Sequence, residues 1–377
     1  MKEYRVGIVG FGFIGRVHAY GHLNLPLFYD PAPCRTRIVA ICTSRQETAD
    51  RGREQVGAQF ATTDYREITE NPDIDIVHIC TPNHAHKDQL LSAIRHNKHI
   101  YCDKPLVCNP QEAEEVERAL PGYRGIAQMT FQSRFFPATI RAKQLIEEGF
   151  LGQVLEFRSA YLHSGSADPE APLRWKLAAS SGGGVIADLG SHVLDLVHYL
   201  LGDLRDLSAI THIAYGDRPS PTDPHARVPV DAEDSVRMLV RTQGGAVGTV
   251  EASKLATGTE DELRLEIHGS LGALRFNSMD PHHLEAYDAR VADQPIGGRR
   301  GWTRIDTGQR YPKPAGFPGP KLVIGWMRVH LACLANFLTC VATGMPASPS
   351  LAQGVYVQKL IECARTSAQR RAWVQVR

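Results

Sequence analysis

Six residues near the start of the chain, Gly10-Phe11-Gly12-Phe13-Ile14-Gly15, limit what it can fold into more than any other feature. They follow a compact apolar run, Arg5–Val9, and lead into a stretch of helical spacing from about Ile14. In a strand–turn–helix context each glycine has its own reason. The first permits a tight turn, the second lets a pyrophosphate approach the backbone, and the third lets helix and strand pack closely. The helix N-terminus then offers N–H groups and a partial positive charge to phosphate oxygens. Many glycine-rich turns bind nothing, so the rest of the chain has to agree with this reading.

It does. Ile38–Cys42, Ile74–Cys80 and His99–Cys102 are short apolar runs, and His84–His96 between two of them has helical spacing. Continuous apolar strands alternating with helices predict a parallel sheet covered on both faces. Right-handed crossovers make it a doubly wound Rossmann domain, expected over residues 1–127. Beyond it the pattern changes. Helical spacing over Pro137–Glu148 and Asp188–Leu201 is interleaved with strand-like runs at Val154–Tyr161, Leu207–Ile213, Ser235–Arg241, Ala246–Ala252, Leu263–His268 and Ala273–Phe276. These predict an α+β second domain over 128–377 with a largely antiparallel open sheet, so the fold class is α/β. Gly216–Pro229 and Gln294–Gly319 are rich in Pro and Gly and read as loops.

Composition narrows the function. The 42 basic and 41 acidic side chains leave a net charge of +1 with no basic run, so no nucleic-acid partner is expected. No window approaches the roughly 18 uninterrupted apolar residues of a membrane span, and the N-terminus lacks the pattern of a secretory signal. The eight cysteines form no CxxC pair, and Cys42, Cys80 and Cys102 end apolar runs like small buried hydrophobes. A reducing compartment, the cytoplasm, is expected, with no membrane association.

The stretch after the second strand, Cys42-Thr43-Ser44-Arg45, lacks the acid that usually binds the adenosine ribose of NAD. Ser44 can hydrogen-bond a 2′-phosphate, and Arg45 can pair with it or stack on adenine. The cofactor is therefore NAD(P), with NADP favoured over NAD. Thr81-Pro82-Asn83-His84-Ala85-His86 and Asp103-Lys104-Pro105 follow the third and fourth strands, at the strand ends where open α/β sheets bind ligands. In the second domain Asp188, His192 and Asp195 are spaced i, i+4 and i+7, one face of a helix. Three ionisable groups on one face need partners. A carboxylate beside an imidazole suits a general base. Two carboxylates with one His are a poor metal set, and no metal is assigned.

On these segments the chain resembles the Gfo/Idh/MocA oxidoreductases, named for glucose–fructose oxidoreductase and inositol dehydrogenase. GFGFIGRVHA, TPNHAH, Asp103-Lys104-Pro105 as a variant of the family's EKP, FQSRFFPA and GGGVIADLGSHVLDLVHYLLG carry the resemblance, which spans essentially the whole chain. It implies a dehydrogenase that oxidises a secondary ring hydroxyl of a sugar, sugar derivative or cyclitol to a ketone, or runs the reverse reduction. Lys104 is then the catalytic lysine, with Asp188 and His192 facing substrate. The cofactor would be held by Gly10 to Gly15, Ser44, Arg45, Thr81, Pro82, Asn83, His86, Asp103, Lys104 and Pro105, with Gln132 and Trp175. Arg134, His163, Trp175 and Asp195 would join the catalytic three around the substrate. The segment Tyr161–Lys176 resembles members acting on levoglucosan or on C3 of glucosides. The resemblance also implies a homo-oligomer, dimer or tetramer, formed through the C-terminal sheet. Two departures stand out: Asp103 replaces the family's glutamate, and Gln132-Ser133 replaces an Asn-Tyr pair before Arg134. Two rival readings use the same fold. A redox-neutral, nicotinamide-dependent glycosidase would carry a Tyr-Pro-Thr-His-like motif where this chain has Asp188-Leu189-Gly190-Ser191-His192, and a non-catalytic sugar-sensing regulator would have no need of Lys104 or His192.

Overall fold

A computed structural model describes residues 2–223, 225–323 and 325–376. The chain forms two compact units: Met1–Gln132 with Tyr311–Gly319 and Gly325–Gln358, and Ser133–Arg310 with Pro320–Ile324 and Lys359–Arg377. The first unit thus runs slightly past the boundary expected at residue 127 and also takes in chain from near the C-terminus. Two contacts explain that return. The helix Trp326–Thr343 lies against the helix Phe13–Phe28 so closely that a Cβ at Gly21 would sit 2.7 Å from Leu334 Cδ2. Met129 N–H donates to the Pro349 carbonyl at 2.9 Å.

The first unit holds a six-stranded sheet: β1 Glu3–Val9, β2 Arg35–Cys42, β3 Phe60–Thr62, β4 Ile76–Ile79, β5 His99–Cys102 and β6 Ala127–Met129. Its order is β3-β2-β1-β4-β5-β6 with every pair parallel. Strand β4, IVHI, is buried at all four positions, as a sheet covered on both faces requires. The chain reverses its direction of growth between β1 and β4, and the crevice at their carboxyl ends is where such sheets bind ligands. Strands β3 and β6 were not expected. At three residues each they are too short to show a periodicity.

The second unit is built on a nine-stranded sheet. Its strands are β7 Val154–Leu162, β8 Leu204–His212, β11 Ser235–Thr242, β12 Val247–Ser253, β13 Glu262–Gly269, β14 Gly272–Asn277, β15 His283–Asp288, β16 Trp302–Asp306 and β17 Val374–Gln375; β9 Asp217–Pro219 and β10 Arg227–Pro229 pair separately. The order β16-β15-β14-β13-β7-β12-β11-β8-β17 is antiparallel except where β7 meets β12. In β11 Val236, Met238 and Val240 are buried while Arg237 and Leu239 are exposed, the alternation of a sheet with one covered face. The helix Ser191–Leu201 packs on β7 and β12.

Both expected loops contain strands. Gly216–Pro229 includes the β9–β10 pair, and Gln294–Gly319 includes β16. Strand β16 is exposed and mixed polar, so no apolar pattern marks it; its Trp302 ring instead lies 3.8 Å from the Arg275 guanidinium. All eight cysteines are free thiols. Among the described residues one helical stretch, Ala179–Leu201, is long and apolar enough to cross a membrane, and its apolar window is 78% buried inside the fold.

Candidate active site

In the first unit the glycine-rich turn is shaped by backbone. Gly10 has φ +91°, and a Cβ there would lie 2.5 Å from the Cys80 carbonyl oxygen. A Cβ on Gly15 would collide with the Gly10 carbonyl. Gly12 is different: its Cβ would have no atom within 4 Å. Folding therefore explains the first and third glycines and leaves the second as open space. The helix Phe13–Phe28 starts beside it with no side-chain cap and no acid in its first turn. Its first N–H groups remain available to an acceptor. That open, uncapped and acid-free cradle fits the pyrophosphate of a dinucleotide.

The flanking loops sit where the sequence suggested. Ser44 and Arg45 are exposed at the end of β2, and Arg45 starts the helix Gln46–Val56 in extended conformation. Thr81 Oγ1 donates to Gln89 Oε1 at 2.8 Å, and Pro82 and the buried Asn83 follow. His86 is fully buried. Its Nε2 lies 2.9 Å from the Thr81 carbonyl and its Nδ1 3.0 Å from that of Pro105, so the ring ties the two loops together. Burial holds it below the ordinary imidazole range. Asp103 accepts from Thr130 Oγ1 at 2.7 Å, which fixes the residue before the half-buried Lys104. Gln132 closes the unit, buried.

In the second unit the chain enters the key helix through Gly182-Gly183-Gly184. Gly182 and Gly184 have φ +71° and +103°, and a Cβ at Gly183 would lie 2.7 Å from the Lys176 carbonyl oxygen. Glu233 caps the start: its carbonyl accepts from Val185 N–H at 2.8 Å and its carboxylate from Ile186 N–H at 3.1 Å. Ile186–Gly190 then forms one π turn before the regular helix Ser191–Leu201. Widened turns of this kind are frequent at functional sites, and this one carries Asp188.

The Asp188 carboxylate is gripped at both oxygens. Lys176 Nζ lies 2.8 Å from Oδ1 and Lys254 Nζ 3.0 Å from Oδ2, with the Lys254 side chain only 8% exposed. The carboxylate thus sits between two ammonium groups. His192 is buried, and the edge of the Tyr161 ring meets it at 5.6 Å between centroids. The Tyr161 hydroxyl donates to Asp261 Oδ1 at 2.6 Å, and His163 Nε2 lies 3.1 Å from the same oxygen. Burial and the Asp261 and Asp188 charges push the Tyr161 phenol well up, so it stays protonated. Trp175 is partly exposed, with Lys176 Nζ 5.8 Å from its ring centroid.

Arg134 and Asp195 meet each other. Arg134 Nε donates to Asp195 Oδ2 at 2.7 Å and Nη2 to Oδ1 at 2.5 Å, and both side chains are buried. Tyr199 stacks on the guanidinium at 4.8 Å. Burial pushes the Asp195 carboxyl up while the Arg134 fork opposes it. Asp188 and Asp195 therefore have different partners, although helical spacing put them on one face. Sequence reasoning did not find Lys176, Lys254, Tyr161, Asp261 or Glu233. Of these, Tyr161 and Lys176 bound the segment whose resemblance it noted, without being singled out themselves.

Residues 4–131 match the oxidoreductase family with an NAD-binding Rossmann fold. Residues 139–275 match the GFO/IDH/MocA C-terminal domain. Levoglucosan dehydrogenase of Pseudarthrobacter phenanthrenivorans is 34% identical over 100% of this chain and 99% of its own length. A solved levoglucosan dehydrogenase in complex with NADH and levoglucosan is 33% identical, with a TM-score of 0.94 and both chains fully covered. Inositol 2-dehydrogenase of Rhizobium meliloti is 25% identical over 97% of this chain and 98% of its own length. With a Rossmann cradle in one unit and the charged cluster around Asp188 in the other, this chain belongs to the Gfo/Idh/MocA family of NAD-binding oxidoreductases that act on CH–OH groups.

Proposed function

We propose that this protein oxidises a secondary hydroxyl on a pyranose or cyclitol ring to a ketone with NAD(P), and that levoglucosan is the first substrate to try. The observation that carries the reading is Asp188 held by Lys176 and Lys254 four residues before His192. A carboxylate fixed by two ammonium groups is a poor acceptor for a substrate proton, which leaves that task to the imidazole. Asp188, fixed in place by the two lysines, orients ring hydroxyls. His192 takes the hydroxyl proton as the C–H bond on the same carbon breaks. Lys104 donates to the reacting oxygen and stabilises its developing charge. A nicotinamide held by the first unit would supply the hydride acceptor, which balances the reaction as ketone, reduced cofactor and a proton.

The tyrosine–aspartate–histidine group Tyr161, Asp261 and His163 supplies fixed polar atoms of the kind that tell one ring hydroxyl pattern from another. In this reading Trp175 packs an apolar ring face, while Arg134 and Asp195 act as positioning residues. The full-length likeness to levoglucosan dehydrogenase supports an anhydro-sugar or glucoside over an open-chain substrate. The exposed Ser44 and Arg45, with no acid between Cys42 and Arg45, support NADP being accepted at least as well as NAD. The uncovered sheet face, with Ile210 and Leu239 among Arg158, Arg237 and Glu251, supports pairing with another copy of the chain. Free thiols throughout suit the cytoplasm.

The test is a panel of levoglucosan, methyl glucosides, glucose and myo-inositol, each with NAD and with NADP, read by reduced-nicotinamide absorbance. Steady reduction with one ring class is expected. Aglycone release without net reduction would move the assignment to the redox-neutral glycosidase, and ligand binding with no turnover of either kind would move it to the sensor.

A further inference from the structure

Behind the glycine-rich turn the first unit buries four metal-binding side chains against one another. His18 and His22 are four residues apart on the helix Phe13–Phe28, so they share a face. His78 lies on β4, and Cys80, two residues on, follows the end of that strand. All four are buried. Leu or Val would fill such a place without the desolvation that polar groups carry.

The geometry points to a site for one thiophilic transition-metal ion of the zinc class, held by His18 Nδ1, His78 Nδ1 and Cys80 Sγ. The three ligand atoms lie within 4.8 Å of one another. His18 Nδ1 is 3.0 Å from His78 Nδ1 and 3.1 Å from Cys80 Sγ. Ligand bonds to zinc of about 2.0–2.3 Å need only a small opening of that cluster. A thiolate with two imidazoles selects zinc-like or softer ions over magnesium or calcium.

His22 has the place of an outer support. Its Nε2 lies 2.9 Å from His78 Nε2, and its Nδ1 lies 2.9 Å from Thr36 Oγ1. When His78 Nε2–H donates to His22 and His22 Nδ1–H donates to Thr36, the lone pair of His78 Nδ1 faces His18 and Cys80. Metal-binding histidines are oriented by this kind of second bond. Binding would convert the Cys80 thiol to a metal-bound thiolate and release its proton. Three protein ligands leave one tetrahedral position for water or a small anion. The backbone of Cys80 abuts Gly10, so the ion would clamp helix and strand directly under the cofactor turn.

The alternative is a metal-free chain in which one proton sits between His78 Nδ1 and His18 Nδ1. Full-length protein grown with Zn(II), or with Co(II) in its place, separates the two. Metal content is measured after gel filtration, and the cofactor-free cobalt form is scanned for thiolate-to-cobalt charge transfer. About one ion per chain and a thiolate band are expected. Cys80→Ser and His78→Gln should each lower the content at least tenfold, with circular dichroism and NADH binding retained. His22→Leu, which removes no ligand, should weaken binding by about 10–100-fold in chelator competition. Metal-free wild-type protein overturns the proposal, as does metal that survives Cys80→Ser. If Cys80→Ser fails to fold, the wild-type cobalt spectrum and the His22→Leu competition decide the matter. None of these readouts depends on turnover, so their outcome is independent of the dehydrogenase assignment.

Discussion

The two units carry candidate functional residues of different material. In the first unit the binding surface is backbone: a tight turn, an uncapped helix start and an open space over Gly12. In the second it is side-chain charge brought from far along the chain, with Asp188 on its π turn, Lys176 before it and Lys254 just past β12. A backbone-built site is written in local spacing, because each glycine answers a neighbour a few residues away or on the next strand. A charge-built site is written in sheet register. The first should tolerate side-chain changes and fail on a methyl group, and the second should do the opposite.

The largest effects should come from Lys104 in the first unit and His192 in the second. Lys104→Ala removes the donor to the reacting oxygen and should lower kcat by about 10²–10³-fold, with folding and cofactor binding retained. His192→Ala removes the base and should lose about 10²–10⁴-fold in kcat. A near-normal kcat in either variant would break the assignment.

Lys254→Met comes next. It removes one of the two ammonium groups from a mostly buried carboxylate, and hydrogen bonds to charged groups are worth about 1.5–3 kcal/mol. A loss of roughly ten- to a hundredfold in kcat/KM is expected, since 1.4 kcal/mol is about tenfold. Lys254→Arg should recover most of it. A purely structural lysine would lower the thermal midpoint and leave kinetics of the folded enzyme unchanged, so both are measured.

The same contrast explains what could be read in advance. The GxGxxG turn, the parallel strands β1, β2, β4 and β5 and the strand-like run that became β11 are local patterns, and they stood out in the sequence. Asp188 and His192 also stood out, because three ionisable residues at helical spacing look wrong in a core stripe. Their partners did not. Lys254 and Asp261 reach the site through the pairing of β12 and β13 with β7, which no local window encodes. The π turn was invisible too, and treating Asp188–Leu201 as one uniform helix hid that Asp195 pairs with Arg134. The closing of the first unit by the helix Trp326–Thr343 rests on contacts about three hundred residues apart in sequence, such as Gly21 with Leu334.

Smaller effects come from the backbone half, where glycines that look equivalent in sequence should separate. Gly12→Ala places a methyl in empty space, so the thermal midpoint should hold while cofactor affinity falls roughly tenfold, by analogy with an overpacked site at about 1–3 kcal/mol. Gly15→Ala drives a methyl into the Gly10 carbonyl, and backbone cannot swing aside as a side chain can. It should destabilise the unit by at least about 1–3 kcal/mol. Calorimetry with cofactor titration checks both. Equal losses of thermal midpoint would mean that the space over Gly12 is not a cradle.

The smallest effect tests the one place where the backbone half relies on a side chain. Arg45 is exposed at the end of β2, and neither it nor Ser44 repels a 2′-phosphate as an acid would. A guanidinium can form charge-assisted bonds to that phosphate, about twice as strong as neutral ones, but at an exposed position solvent screens the gain. Arg45→Ala should therefore weaken NADP by only a few-fold and NAD by less, and the difference should shrink as salt is raised. Stacking on adenine would serve both cofactors alike. Parallel titrations of wild type and variant at two ionic strengths distinguish the cases. Equal, salt-independent losses assign Arg45 to adenine, and a wild-type preference for NAD overturns the expectation that the phosphorylated cofactor binds at least as well.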